Sequence, residues 1–314
     1  MNLTVSSLVV AATLALAAMA FPATAASVKP GVQAAGKSVG KRVALPTKVK
    51  RAKRYRAPIA RMVKRAALRS GAVMILDPST RKVLYAKNAS AVMPIASVTK
   101  LMTALVVIKA GQDMGEMLAI TDADIDRLKY SSSRLRVGTR LTRAAMLHIA
   151  LMSSENRAAS ALGRHYPAGT AGFVKAMNAR ARALGMSNSR FVEPTGLSSA
   201  NVSTPEDLAK LVVAAQREPL IRKYSTDSDH TIAQGRSTTA YRNSNRLIAS
   251  AGWDIGMQKT GYISEAGRCM VLHARVRGRA VVMVFLDAHG KYSRARDANR
   301  VRSWLVGGRR APQP

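Results

Sequence analysis

A long basic segment without acidic residues sets the limits of what this chain can fold into. Between Lys29 and Arg65 there are thirteen lysines and arginines and no aspartate or glutamate. Like charges at this density repel one another and leave little apolar surface to bury. We therefore expect residues 26–66 to form a basic disordered arm, and we expect the folded domain to occupy residues 67–310.

The segment before the arm has the pattern of a secretory signal peptide. An apolar run from Leu8 to Phe21 is followed by "ATA", which has the form of a small-residue cleavage site. We assign residues 1–25 to a signal peptide and expect a periplasmic protein. No lysine or arginine precedes the apolar run, so retention of the segment as an anchor is the alternative to cleavage.

The net charge of the whole chain is +33, and about +20 remains when the arm is left out. This charge favours encounter with anionic envelope polymers, and solubility is the alternative explanation. A basic arm would suggest nucleic acid in a cytosolic protein. Because export is predicted, we expect no nucleic acid partner.

Cys269 is the only cysteine, so no internal disulfide can form and the domain must be stable through its core. Its surroundings, "GRCMVLHARV", indicate a small buried strand residue and not a nucleophile.

The order of strand-like and helix-like segments indicates an α+β fold. "SGAVMILDPSTRKVLYAKN" predicts two strands joined by a turn, and "DIGMQKTGYI", "GRCMVLHARVRG" and "RAVVMVFLDA" predict three antiparallel strands near the other end. Between them, "LTRAAMLHIALM", "GFVKAMNARARALGM" and "STPEDLAKLVVAAQ" predict helices, and "YSRARDANRVRSWLV" predicts a closing amphipathic helix. We expect one antiparallel sheet drawn from both ends of the domain.

One predicted helix has a serine and a lysine three residues apart at its start. In "MPIASVTKLMTALVV" the apolar residues recur at helical spacing, so Ser97 and Lys100 are neighbours on the helix surface. Burial lowers the pKa of an ammonium, and the neutral amine can activate a serine nucleophile. The alternative is that Lys100 extends from a core helix to water. The same spacing occurs at Ser38 and Ser79, but only Ser97 opens a predicted helix.

Two further motifs follow "SVTK" along the chain. "SEN" at 154–156 lies in the break between two predicted helices, and "KTG" at 259–261 lies on a predicted strand. This ordered set resembles the active-site serine penicillin-binding proteins and β-lactamases. "LMSSENRAASALGRHYPAG", "RFVEPTGLSSANVSTPEDLAKL", "KTGYISEAGRC" and "RARDANRVRSWL" narrow the resemblance to the low-molecular-mass penicillin-binding proteins, and among them to the D-alanyl-D-alanine endopeptidase branch. It covers about residues 68–305.

The resemblance implies a β-lactamase/DD-transpeptidase-like fold, in which an antiparallel sheet is flanked by helices and a helical subdomain supplies "SSEN". In such a site Ser97 would attack a peptide carbonyl and become acylated. Lys100 would take its proton, with a pKa lowered by burial and by the neighbouring cation Lys259. Ser154 would relay that proton to the leaving amine.

The remaining motif residues would bind the substrate. Asn156 would bridge Lys100 and a substrate carbonyl, with capping of a helix end as the alternative. Lys259 would supply positive potential, Thr260 a hydroxyl donor, and Gly261 room for an extended substrate beside the strand. The backbone N–H groups of Ser97 and Tyr262 would form the oxyanion hole.

The same resemblance gives a structural role to the "EPTGLSS" loop, which begins at Glu193. A deacylating Glu-x-x-Leu-Asn segment is absent from the sequence, so we do not expect efficient hydrolysis of antibiotics. The five histidines lack metal-ligand spacing, and neither a metal nor another cofactor is expected.

The resemblance implies a penicillin-sensitive serine DD-endopeptidase that cleaves D-alanyl-diaminopimelate cross-links of peptidoglycan through an acyl-enzyme on Ser97. Two alternatives are a D-alanyl-D-alanine carboxypeptidase acting on stem peptides and a basic wall-binding protein with a vestigial peptidase site. The expected partners are peptidoglycan, β-lactam antibiotics as covalent inhibitors, and anionic envelope polymers bound by the arm.

Overall fold

The computed structural model of the protein describes residues 68–234 and 237–307. The predicted signal peptide and basic arm lie outside these residues. The described strands are β1 (Ser70–Asp77), β2 (Lys82–Lys87), β3 (Met93–Pro94), β4 (Met117–Ala119), β5 (Arg140–Thr142), β6 (Val202–Ser203), β7 (Asp229–Gln234), β8 (Ser237–Arg242), β9 (Asp254–Ile263), β10 (Gly267–Val276) and β11 (Arg279–Ala288). The described α-helices are α1 (Thr99–Lys109), α2 (Arg143–Met152), α3 (Asn156–Arg164), α4 (Gly169–Ala183), α5 (Pro205–Ala215), α6 (Pro219–Thr226) and α7 (Ser293–Val306).

A five-stranded antiparallel sheet forms the centre of the fold, in the order β2-β1-β11-β10-β9. The first two strands of the domain therefore pair with its last three, as the sequence predicts. Strand β9 lies at one edge of the sheet and carries the "KTG" motif. The α+β prediction with a sheet from both ends of the domain is confirmed.

Both faces of the sheet are covered, which explains the long apolar runs in its strands. Along β1, Ala72 and Met74 pack into a helical core that includes α1, whereas Val73 and Ile75 pack into a second core with α7. Successive side chains of a strand point to opposite faces, so a strand buried on both sides needs apolar residues at nearly every position. The same reasoning applies to β10 and β11.

Local sequence signals mark the ends of three helices. Thr142 caps α2 by accepting a hydrogen bond from the backbone N–H of Ala145, and Thr204 caps α5 in the same way. Gly185, with φ of +69°, follows the end of α4. Sequence reasoning did not identify α6, the β7–β8 hairpin or the short pairs β3–β6 and β4–β5.

Cys269 is fully buried on β10, as predicted, and burial raises the pKa of its thiol to about 11. A thiol in this setting is protonated at neutral pH and is a poor nucleophile. In the part of the chain that the structure describes, we find no helix with the length and apolar character that crossing a membrane requires.

The buried carboxylate of Asp297 on α7 forms hydrogen bonds with the start of β1. Asp297 accepts hydrogen bonds from the backbone N–H of Arg69 at 3.1 Å, from that of Ser70 at 2.8 Å and from the Ser70 hydroxyl at 2.8 Å. Both Asp297 and Ser70 are fully buried. These bonds hold the helix that covers the outer face of the sheet.

We expect Asp297→Ala to lower the free energy of unfolding by about 3 kcal/mol, because three donors would lose a buried acceptor. Asp297→Asn keeps one acceptor oxygen and should lose less. Urea denaturation followed by circular dichroism gives both values. A loss below about 0.5 kcal/mol for the alanine variant would contradict this role.

Candidate active site

The three sequence motifs meet at one cleft of about 510 Å³. Ser97 lies in the short 3-10 helix Ala96–Val98 that leads into α1, and Lys100 lies in the first turn of α1. Ser154 lies between α2 and α3, and Asn156 is the first residue of α3. From the motif residues, Ser97, Ser154, Asn156, Thr260, Gly261 and Tyr262 line the cleft.

The buried Lys100 amine is in contact with the Ser97 hydroxyl. The distance from Lys100 Nζ to Ser97 Oγ is 3.0 Å, and Nζ also donates to Asn156 Oδ1 at 2.6 Å and to the carbonyl oxygen of Thr195 at 2.7 Å. The last two oxygens can only accept, so they take both N–H groups of a neutral amine. The lone pair of the amine is then left for the Ser97 hydroxyl proton.

Burial lowers the pKa of Lys100 to about 8, although the carboxylates of Glu193, Glu155 and Asp126 act to raise it. Burial is the largest cause, and the further lowering by Lys259 that the sequence suggests stays a prediction. The pKa of Lys259 is lowered well below its usual value by burial and then by repulsion from Lys100. Lys100 therefore loses its proton more readily than an ordinary lysine, and at neutral pH a minor fraction of it is in the neutral state that a base requires.

Ser154 faces the second buried amine. Lys259 Nζ donates to Ser154 Oγ at 2.9 Å and to the carbonyl oxygen of Thr260 at 2.9 Å. Ser154 has φ of +66°, a left-handed conformation that costs a non-glycine residue about 1 kcal/mol or more. Its hydroxyl thus lies in the cleft beside a group that can supply or hold a proton.

The side chain of Asn156 has both of its polar atoms engaged. Oδ1 accepts from Lys100, and Nδ2 donates to Ser131 Oγ at 2.8 Å. The residue that caps α3 is Glu155, which accepts from the N–H of Arg157. Asn156 therefore belongs to the lysine network and does not serve as the helix cap.

Sequence reasoning missed the loop that supports Asn156. Asp126 Oδ2 accepts from the backbone N–H of Ser131 at 2.8 Å and from its hydroxyl at 2.6 Å. Burial raises the pKa of Asp126, but hydrogen bonds from Ser131, Lys129 and Leu128 outweigh it and the pKa is lowered overall. Nothing in the local sequence pattern distinguishes these residues from an ordinary polar loop, so no signal was available.

The "EPTGLSS" loop contacts the chain next to the nucleophile Ser97. The Glu193 carboxylate accepts from the backbone N–H groups of Thr195 at 2.5 Å and Gly196 at 2.6 Å, and from Asn201 Nδ2 at 2.7 Å. These bonds fix the loop in the conformation that brings the Thr195 carbonyl to Lys100. Gly196 has φ of +82°, and a Cβ there would overlap the carbonyl oxygen of Ala96.

The edge strand β9 runs close to the nucleophile. A Cβ on Gly261 would lie 2.9 Å from the backbone nitrogen of Ser97, so glycine permits this close approach. The Thr260 hydroxyl is 2.7 Å from that of Ser244, and Tyr262 is largely exposed at the cleft. The oxyanion-hole role of the Ser97 and Tyr262 N–H groups stays a prediction.

Two further cations line the cleft and were not identified from the sequence. Arg294 Nη1 on α7 donates to the carbonyl oxygens of Gly261 at 2.8 Å and Cys269 at 3.0 Å. Its pKa is lowered to about 10 by burial and then by Arg268. Lys129 forms an ion pair with Glu265, which follows β9. An arginine on the inward side of the closing amphipathic helix was a signal that could have been followed.

A serine bonded to a buried lysine, placed between a helical region and the edge of an antiparallel sheet, defines the class of active-site serine peptidases that form an acyl-enzyme. The chain belongs to the D-alanyl-D-alanine carboxypeptidase family, whose sequence model matches residues 59–290.

Curated relatives and solved structures agree with this assignment. The chain is 47% identical to a D-alanyl-D-alanine endopeptidase of Pseudomonas aeruginosa over 77% of this chain and 78% of that protein. It is 44% identical to one of Escherichia coli over 78% and 80% of the two chains. The Streptomyces K15 DD-transpeptidase superposes with a TM-score of 0.71 at 26% identity, covering 76% of this chain and 98% of that one. For penicillin-binding protein D2 of Listeria monocytogenes in its ampicillin-bound form, the TM-score is 0.66 at 29% identity, with 77% and 98% coverage. The predicted family and DD-transpeptidase-like fold are confirmed.

We expect the rate of acylation by a β-lactam to rise with pH through about 8. Below this pKa, Lys100 is protonated and cannot accept the Ser97 proton, and above it the amine is neutral. Stopped-flow acylation with a fluorescent penicillin from about pH 6 to about pH 10 should give a midpoint near 8. A rate independent of pH over this range would contradict the role of Lys100 as the base.

We expect Gly196→Ala to slow acylation at least about tenfold, because the new Cβ would displace the loop that carries the Thr195 carbonyl. Gly111→Ala is the matched control, since Gly111 has a similar φ of +65° but open space around its Cβ position. Gly111→Ala should leave the acylation rate unchanged, and equal rates in the two variants would contradict the role given to the contact between Gly196 and Ala96.

Proposed function

We propose that this protein is a serine DD-endopeptidase that hydrolyses D-alanyl cross-links of peptidoglycan through an acyl-enzyme on Ser97. The observation that carries the proposal is the contact between Ser97 Oγ and Lys100 Nζ, whose other hydrogen bonds go to acceptors only. The curated relatives named D-alanyl-D-alanine endopeptidase support cleavage of a cross-link.

In the first half of the reaction, Ser97 Oγ attacks the D-alanyl carbonyl carbon while its proton passes to Lys100 Nζ. The carbonyl oxygen becomes an oxyanion, which the N–H groups of Ser97 and Tyr262 stabilise. As the C–N bond breaks, the proton is delivered to the leaving amine through the Ser154 hydroxyl. The products are a free amine and an ester on Ser97.

In the second half, water attacks the acyl carbon of the ester and Lys100 accepts a proton from that water. The bond between the acyl carbon and Ser97 Oγ then breaks, Lys100 returns the proton to Oγ, and a carboxylate leaves. Lys259 and Arg294 provide positive potential at the cleft, which favours substrates that carry carboxylates. A neutral Lys100 can act as the base in both halves because burial keeps its pKa near 8.

Carboxypeptidase action on a terminal D-alanine uses the same acyl-enzyme chemistry and is the second candidate. The family to which the chain belongs and several relatives named D-alanyl-D-alanine carboxypeptidase, at 26–30% identity, support it. The two activities differ only in the leaving group, which is a free amino acid for the carboxypeptidase and a second peptide for the endopeptidase.

We also propose that the protein acts in the periplasm and that the basic segment between Lys29 and Arg65 holds anionic polymers of the envelope. Support comes from the apolar N-terminal run and from the thirteen basic residues without an acidic one. Peptidoglycan as substrate and β-lactams as covalent inhibitors are supported by the family and by the ampicillin-bound relative.

We expect Ser97→Ala to abolish labelling by a fluorescent penicillin and cleavage of purified cross-linked muropeptide dimers. Ser79→Ala is the matched control, because Ser79 has the same spacing to a lysine but lies exposed in a turn after β1. This control should retain full labelling. Labelling that survives in Ser97→Ala would contradict the nucleophile assignment.

The same assay separates the two candidate activities. If the wild-type protein releases only D-alanine and converts no dimer to monomers, the carboxypeptidase replaces the endopeptidase as the function.

A further inference from the structure

A second cleft, of about 770 Å³, is lined in part by residues that closely follow Ser131 in the chain. One wall is the segment from Ser133 to Arg140, which leads into β5, and the other is formed by residues of β8. We call it the arginine cleft, because its lining includes Arg134, Arg136 and Arg140 together with several hydroxyl groups, and none of the described residues that line it is acidic.

Arg136 and Arg140 give the arginine cleft positive charge. Arg136 and Arg140 are exposed, and among residues 68–234 and 237–307 no carboxylate lies within ion-pair distance of either guanidinium. Elsewhere in the domain, Arg143, Arg164 and Arg279 each have an acidic partner. Guanidinium groups that line one cleft form a site that suits a carboxylate.

The arginine cleft and the catalytic cleft share a wall. Ser131 lines the catalytic cleft and Ser133 lines the arginine cleft, and two residues of extended chain span at most about 7 Å. Ser133 Oγ donates to Glu155 Oε1 at 2.7 Å, next to Asn156. A substrate several residues long can therefore reach both clefts at once.

The opposite wall is also joined to the catalytic site. Arg134 Nη1 donates to the carbonyl oxygen of Ala240 at 2.5 Å, and its guanidinium lies 4.1 Å from the centre of the Tyr241 ring. The chain after β8 continues to Ser244, whose hydroxyl contacts Thr260 of the "KTG" motif. Both walls are thus fixed relative to motif residues, so a ligand in the arginine cleft would have a defined position relative to Ser97.

We propose that the arginine cleft binds a free carboxylate of the second stem peptide in a cross-linked substrate, through Arg136 and Arg140. This inference rests on the proposed endopeptidase function and names the group that would distinguish its substrate. An uncross-linked stem peptide has no second peptide to place there. A cross-linked dimer carries additional carboxylates beyond the scissile bond, and these are anionic and within reach of the shared wall.

The test measures binding separately from cleavage. Full-length Ser97→Ala protein is titrated by calorimetry with a cross-linked muropeptide dimer that has free α-carboxylates, and with the same dimer after amidation of those groups. We expect the free dimer to bind about fivefold more tightly, since an exposed ion pair contributes up to about a factor of five. When R136Q/R140Q is added to the Ser97→Ala protein, this preference for the free dimer over the amidated dimer should be lost.

Lys175→Gln with Arg182→Gln is the matched control, because it removes the same charge from exposed positions on α4 that line neither cleft. This control should keep the preference for the free dimer and leave cleavage unchanged. In protein that retains Ser97, R136Q/R140Q should raise the KM for the free dimer about fivefold.

Equal binding of the free and amidated dimers, or a preference that survives in R136Q/R140Q, would overturn the assignment of the arginine cleft. The outcome is independent of the endopeptidase proposal. If the preference is present but wild-type protein cleaves no dimer, the proposed function fails while the cleft assignment stands. If the wild-type protein cleaves the dimer and the preference is absent, the proposed function stands and the assignment of the arginine cleft fails.

Discussion

The site depends on an amine that has been removed from water. Lys100 is fully buried, and a charged ammonium in such a place is costly unless every N–H finds an acceptor. The protein supplies two acceptors that cannot donate, the Thr195 carbonyl and Asn156 Oδ1, and leaves the third direction to Ser97. These acceptors come from a loop and from the start of α3, which are far apart in the sequence. The fold must therefore hold both against α1 for the chemistry to be possible.

The carboxylates around Lys100 have two effects. Glu193 orders the loop that carries Thr195, and Asp126 orders the loop that carries Ser131. Each also raises the pKa of Lys100, which burial lowers, so the result is about 8. A lysine depressed further would be a weaker base, and one near its usual value would be protonated at neutral pH. The groups that fix the geometry thus also adjust the protonation of the base.

Much of the fold could be predicted because its signals are local. Strands buried on both faces read as continuous apolar runs, as in β10 and β11, and Thr142 and Gly185 mark helix ends through side-chain capping and a left-handed backbone. Short pairs such as β7–β8 were missed because few of their residues are buried, so their sequences show little periodicity. For these segments, partners elsewhere in the fold decide the structure.

The residues of the active site also fall into those that a local sequence signal identifies and those that it does not. Ser97 and Lys100 are three residues apart at the start of a helix, so their spacing predicts that they are neighbours. The helix also distinguishes this pair from the pairs with the same spacing that begin at Ser38 and Ser79. The contacts of Asp126 and Arg294 with the site follow from the path of a loop and from the packing of α7 on the sheet, which no motif encodes. Sequence reasoning therefore finds the residues that react before it finds those that hold them.

The loop from residue 126 to residue 139 shows how a segment without regular structure can connect chemistry to substrate choice. Its first half is fastened by Asp126 and contacts Asn156 through Ser131, and its second half forms a wall of the arginine cleft. Changes of side chain in the second half can alter which charges meet the substrate without moving Lys100 or Ser97, because the hydrogen bonds of Asp126 fix the first half independently. The reaction and the selection of its substrate can thus vary separately on one short stretch of chain.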